Sequence, residues 1–169
     1  MRFATPFVAL IAAALLTGCN AVSAPKPDPA GDAGFVAALK LLCSKTPAVV
    51  PINPSASKVA ITNAANAGNA TVLALVYGTP VRAPDGRTVR HGGIASLTPM
   101  IANSSPLVPS VTHAASMLLD MSKWYTLIVK PPKAGRSGNV SVTAGIIVAR
   151  ENEARSDLAK IGITGCPSS

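Results

Sequence analysis

Apolar positions along this chain fall into short runs separated by turn residues. Residues 7–16 are an almost unbroken series of Ala, Leu, Val and Ile. Residues 35–42 (FVAALKLL) place apolar side chains at helical spacing, with Asp32 as N-cap, and Pro47 and Pro51 end any helix beyond Cys43. Residues 58–63 alternate like a strand, 63–69 form a small polar turn, and 71–77 (TVLALVY) read as a buried strand stopped by Gly78 and Pro80. Pro84-Asp85-Gly86 signals a turn, with residues 88–91 as the returning strand of a hairpin. Gly92-Gly93 breaks that strand, residues 94–100 pair again, and 103–109 are loop. Residues 114–121 lean to strand over short helix. Residues 124–130 (WYTLIVK) are a clearer strand, and 131–138 (PPKAGRSG) a hairpin-like loop. Residues 140–149 are β-rich, with Gly145 marking a bulge, and 151–161 are helical, with acids in the first turn and Lys160 in the last. The pattern predicts a mainly β domain, a small antiparallel β-sandwich with a short helix at each end. An α+β arrangement, with both helices on one face of an antiparallel sheet, is the alternative.

The N-terminal run is organised differently. Arg2 precedes about ten apolar residues, against the ~20 that span a bilayer. Leu15-Leu16-Thr17-Gly18-Cys19 closes the run, which argues against a core helix or an ordinary export signal. The pentapeptide resembles the lipobox of bacterial lipoprotein precursors. That resemblance implies a signal peptide over residues 1–18 and a mature N-terminus at Cys19, carrying a diacylglyceryl group and an N-acyl chain such as palmitate. Two or three chains anchor stably where one holds only marginally. Asn20 is not the Asp that favours inner-membrane retention in enteric bacteria, so the resemblance points to the periplasmic face of the outer membrane. Residues 19–33 would be the lipidated Cys and a tether. Pro25, Pro27 and Pro29 deny it helix or central strand, and its reach is up to ~40 Å.

Residues 34–169 then make one globular domain. It has few aromatics and holds thirteen basic residues against five acids, a net charge of +8. Nucleic acid is a poor partner for an exported chain. An envelope protein, or the phosphates of anionic phospholipid or glycolipid, suit the charge better. With Cys19 lipidated, Cys43 and Cys166 remain. In an oxidising compartment such a pair forms a disulfide, worth ~4–5 kcal/mol by chain entropy for a loop this long.

No motif beyond Cys19 specifies a reaction, a cofactor or a metal. Ser55-Ala56-Ser57-Lys58 and Ser137-Gly138-Asn139 match SxxK and SxN of the penicillin-binding proteins, but the third element is missing and the chain is too short. His91 and His113 are the only histidines, and Asp120 follows His113 by seven residues with Ser110 nearby, which is neither a metal spacing nor a triad. Asn69, Asn103 and Asn139 head sequons that a bacterial chain does not use. What stands out is where the bases fall. Arg82, Arg87 and Arg90 flank the Pro84-Asp85-Gly86 turn, and Lys130, Lys133 and Arg136 flank or occupy the 131–138 loop. These residues are the expected contact with an anionic partner. The expected role is binding or scaffolding in the cell envelope, without catalysis. Secretion-system lipoproteins and pilotins are similar in anchoring and size; a small hydrolase is the least supported alternative.

Overall fold

The computed structural model describes residues 31–131 and 139–167. In chain order it contains helix α1 (Gly31–Lys45), helix α2 (Lys58–Tyr77), strands β1 (Gly78–Arg82) and β2 (Thr88–Gly92), the one-turn helix α3 (Ile94–Leu97), and helices α4 (Val108–Val129) and α5 (Val140–Lys160). The expected β-sandwich is overturned, and so is the α+β alternative. The domain is mainly helical, and the only sheet among the described residues is the two-stranded β1–β2 hairpin.

The reason lies in which residues build the helical stripes. Ile61, Ala65, Gly68, Val72 and Leu75 are buried along α2 at alternating steps of four and three. Val111, Ala114, Leu118, Met121, Tyr125 and Ile128 repeat that step along α4. This is the spacing that keeps one seam facing a neighbouring helix. Ala and Gly at several seam positions weaken the hydrophobic contrast, and the β-branched residues between them imitate strands. The segment taken as strand, turn and strand over 58–77 is thus one helix, with Asn63 and Asn66 on its exposed side. Residues 114–121 and 124–130 likewise belong to one helix. Gly145 lies inside α5 rather than at a bulge, and Glu151 stands in mid-helix rather than in a first turn.

Local signals at the helix ends agree with this. Ser57 caps α2, its hydroxyl accepting from the Ala60 N–H at 3.3 Å. Pro109 sits in the first turn of α4, where its missing N–H leaves no bond unmade. Asn139 caps α5 by accepting from the Ser141 N–H at 3.0 Å. Asp32 lies in the first turn of α1, within the helix rather than at its cap.

Helix α4 is the central element, packed against both α2 and α5. Tyr125 is fully buried, and its hydroxyl lies over Gly68 of α2. A Cβ at Gly68 would stand 2.6 Å from that oxygen, so the glycine is needed for the helices to approach. Beside it, Ser122 donates to the Asn69 side chain at 2.7 Å. His113 bonds Asp157 and Asp120 accepts from Arg150, which fixes α4 and α5 as antiparallel. Helix α2 is long and apolar enough, by length and composition alone, to cross a membrane; here its apolar stripe is buried.

Helix α1 buries Phe35 and Leu39, and the segment leading to α2 buries Val49 and Ile52. At the other terminus α5 ends in a Schellman turn. Gly162, at φ +78°, donates to the Ala159 carbonyl at 3.0 Å, and Ile163 to the Leu158 carbonyl at 2.9 Å. Ile163 and Leu158 are both buried. The turn brings Cys166 back to α1, where it forms the expected disulfide with Cys43, Cα to Cα 5.6 Å, across 123 residues of chain.

Candidate functional site

The sequence expectation of a hairpin about Pro84-Asp85-Gly86 holds. The Gly86 N–H donates to the Ala83 carbonyl at 2.9 Å, and the Ala83 N–H to the Arg87 carbonyl at 2.8 Å. Gly86 has φ +81°. Together these make a tight turn closed by a glycine bulge, a standard three-residue hairpin connection. Asp85 accepts from the Arg87 backbone N–H at 3.0 Å and from its guanidinium at 2.6 Å. Those bonds, the backbone one foremost, hold the Asp85 carboxyl below its ordinary range. Past Gly78 the hairpin is almost wholly solvent-exposed, with Val81 51% exposed.

Arg82, Arg87 and Arg90 all stand on this hairpin. Arg90 donates to the Gly78 carbonyl at 3.1 Å. His91 is exposed opposite Thr79. Lys130 stands at the C-terminal end of α4, and no side-chain hydrogen bond or ion pair among the described residues joins it to the hairpin. Lys133, Arg136 and the lipidation residue Cys19 lie outside the described residues, as does Ser137.

Other residues singled out in the sequence have structural places. Ser55 precedes α2, where its N–H bonds the Asn53 side chain, and Lys58 is the first residue of that helix; both are exposed. Ser55 thus leads into a core helix, not into a strand as the alternation suggested. His113 and Asp120 both lie on α4, seven residues apart, but the partner of His113 is Asp157 of α5. Asp157 also accepts from Lys160 at 2.7 Å; Lys160 foremost, and then His113, hold its carboxyl below the ordinary range. No serine contacts His113 among the described hydrogen bonds.

Sequence reading missed the polar seam of α4 and α5. Asp120 accepts from Trp124 Nε1 at 3.2 Å and Arg150 Nε at 3.1 Å, and Arg150 also bonds Glu153 at 2.9 Å. Glu153 foremost, with Asp120, raises the Arg150 pKa. Arg155 bonds Glu151 at 2.6 Å. The intrahelical half was readable, because Arg150/Glu153, Glu151/Arg155 and Asp157/Lys160 have helical i,i+3 and i,i+4 spacing. Beneath the seam, burial foremost and then Glu151 push the Tyr125 hydroxyl pKa upward, and that hydroxyl has no hydrogen-bond partner among the described atoms.

The seam thus holds Asp120, Glu151, Glu153 and Asp157 in ion pairs, while the hairpin presents its arginines to solvent with Asp85 as their local acid. A cleft of about 430 Å³ beside the disulfide has Lys40 as its one charged lining residue. No cluster of three His, Cys, Asp or Glu suited to a metal occurs among the described residues. Comparison with protein-family models, curated proteins and solved structures gives no match.

Proposed function

We propose that this chain is a lipid-anchored protein of the bacterial cell envelope, held through Cys19, whose helical domain serves a binding or scaffolding role rather than catalysis. The exposed arginine hairpin supports this reading. Arg82 and Arg90 carry charge that no described carboxylate neutralises, on an element that adds little to the core. Arginine suits carboxylate and phosphate because its planar fork donates two parallel hydrogen bonds. Isolated exposed pairs are worth ~0–1 kcal/mol, so contact with an anionic partner relies on several acting together.

The anchor is tested by mass spectrometry of the mature N-terminus, which should show an acylated Cys19. Cys19→Ser should move the protein to the soluble fraction or stall its processing. An unmodified N-terminus cut elsewhere rejects the anchor. For the binding role, crosslinking in intact cells should capture a defined partner on the wild-type hairpin, and the triple change Arg82→Ala, Arg87→Ala and Arg90→Ala should lose it. Capture unaffected by the triple change rejects the hairpin as the contact.

A further inference from the structure

The two outer edges of the hairpin are unlike. Turn closure at Ala83 and Arg87 sets the phase of the ladder. Val81↔Val89 and Thr79↔His91 are then the hydrogen-bonded pairs, and Gly78↔Gly92, Pro80↔Arg90 and Arg82↔Thr88 are the others. Backbone groups of the second set point away from the partner strand. On β1 that outward row begins with Gly78, whose N–H donates to the Ala74 carbonyl and whose carbonyl accepts from Arg90. Next comes Pro80, which has no N–H at all. The β1 edge is therefore closed to strand pairing along most of its length. On β2 the Gly92 N–H donates to Ser96 Oγ at 3.3 Å. Thr88 and Arg90 keep outward N–H and C=O groups with no partner among the described residues, and both residues are exposed.

We infer that the outer edge of β2, at Thr88 and Arg90, docks a third strand supplied by an extended acidic segment of a partner protein. This rests on the reading of the hairpin as the contact element and names the chemistry of the contact. A two-stranded hairpin is marginal in water alone, and a third strand adds main-chain bonds to it. Charge selects the occupant. Arg82, Thr88 and Arg90 occupy non-hydrogen-bonded positions and so share one face; a strand beside β2 aligns alternate side chains with Thr88 and Arg90, and Arg82 lies one strand further across, behind the short Thr88. A carboxylate beside Arg90 meets its guanidinium directly, and one beside Thr88 faces the longer Arg82 side chain across that small residue. A second copy of this chain fits poorly, because two β2 edges paired about a two-fold axis set Arg90 near Arg90.

The test uses the full-length protein in detergent and two fluorescent decapeptides of equal charge. One alternates Thr and Glu; the other has the same sequence N-methylated at every backbone amide, which keeps the charge and removes the donors. The unmodified peptide should bind about tenfold or more tightly than its methylated counterpart. Arg90→Pro deletes the outward N–H at a position that makes no ladder bond to β1, and should abolish the difference between the peptides. Arg90→Ala, which keeps the N–H, should weaken both peptides and preserve the difference. A second measurement needs no variant to fold: the unmodified peptide should protect the Thr88 and Arg90 amides of the unaltered protein from hydrogen exchange. Equal binding of the two peptides, or failure to protect those amides, overturns strand addition. So does binding to vesicles of anionic phospholipid and to neither peptide, although an anionic contact at the hairpin then survives. Binding to none of the three removes the hairpin reading as well.

Discussion

The α4–α5 seam and the β1–β2 hairpin are both rich in charge, and they use it in opposite ways. In the seam each acid has a basic partner on the same helix or across the interface, and Glu151 and Asp157 are nearly buried. In the hairpin Arg87 is paired with its own turn residue, and Arg82 and Arg90 face solvent without an acid. Charge that is satisfied internally supports the frame. Charge left unsatisfied on an exposed element is available to something else. On that difference rests the proposal that the hairpin, rather than the seam, makes the contact.

The largest expected effect bears on the frame. Replacing both Cys43 and Cys166 by Ala should lower stability by about 4 kcal/mol in the chain-entropy account of so long a loop, measured by urea unfolding. A loss near zero would mean that packing of Phe35, Leu39 and Ile163 alone holds the termini. Next comes the close contact of α2 and α4. Gly68→Ala sets a methyl against the Tyr125 hydroxyl and should cost about 1–3 kcal/mol. At Gly145 of α5 nothing lies within 4 Å of an added Cβ, so Gly145→Ala should stabilise by about 0.5–1 kcal/mol. Equal effects at the two glycines would deny that α2 and α4 are tightly packed.

The comparison also has a pH signature. The folded Asp157 carboxyl is held below its unfolded value by Lys160 and His113. A depressed carboxyl stabilises the fold above the ordinary carboxylate range, and that contribution is lost as pH falls through the lowered value. Thermal melts of wild type should therefore decline in acid more steeply than those of Asp157→Asn. Asp85, on the exposed hairpin, is lowered in the same direction, so Asp85→Asn should flatten the acid decline too, but by less, because its bonds to Arg87 are open to solvent. The smallest effect is expected at the hairpin. Changing Arg82, Arg87 and Arg90 together to Ala should alter stability by less than about 0.5 kcal/mol. A larger loss would make the hairpin part of the frame.

Short-range features were legible in the sequence because neighbouring residues determine them. The Pro84-Asp85-Gly86 turn, its returning strand and the three arginines around it stand where the sequence placed them. Pairing of Cys43 with Cys166 followed from counting, once Cys19 was set aside for lipid. The intrahelical pairs of α5 were also there to be read from spacing. Helix against strand was not settled locally. Ala65, Gly68, Ala114 and Ala144 line the core, yet their small side chains barely mark an apolar face, and runs such as TVLALVY suit a strand as well as a helix. Only packing on α4 decides between the two, because a helix with so small a seam is stable through the neighbour that it approaches closely. Tertiary structure alone also joined His113 to Asp157 and Asp120 to Arg150, groups 44 and 30 residues apart. Spacing along the chain determines which residues can share a turn. Which poles and helices meet is determined by the burial of a common core.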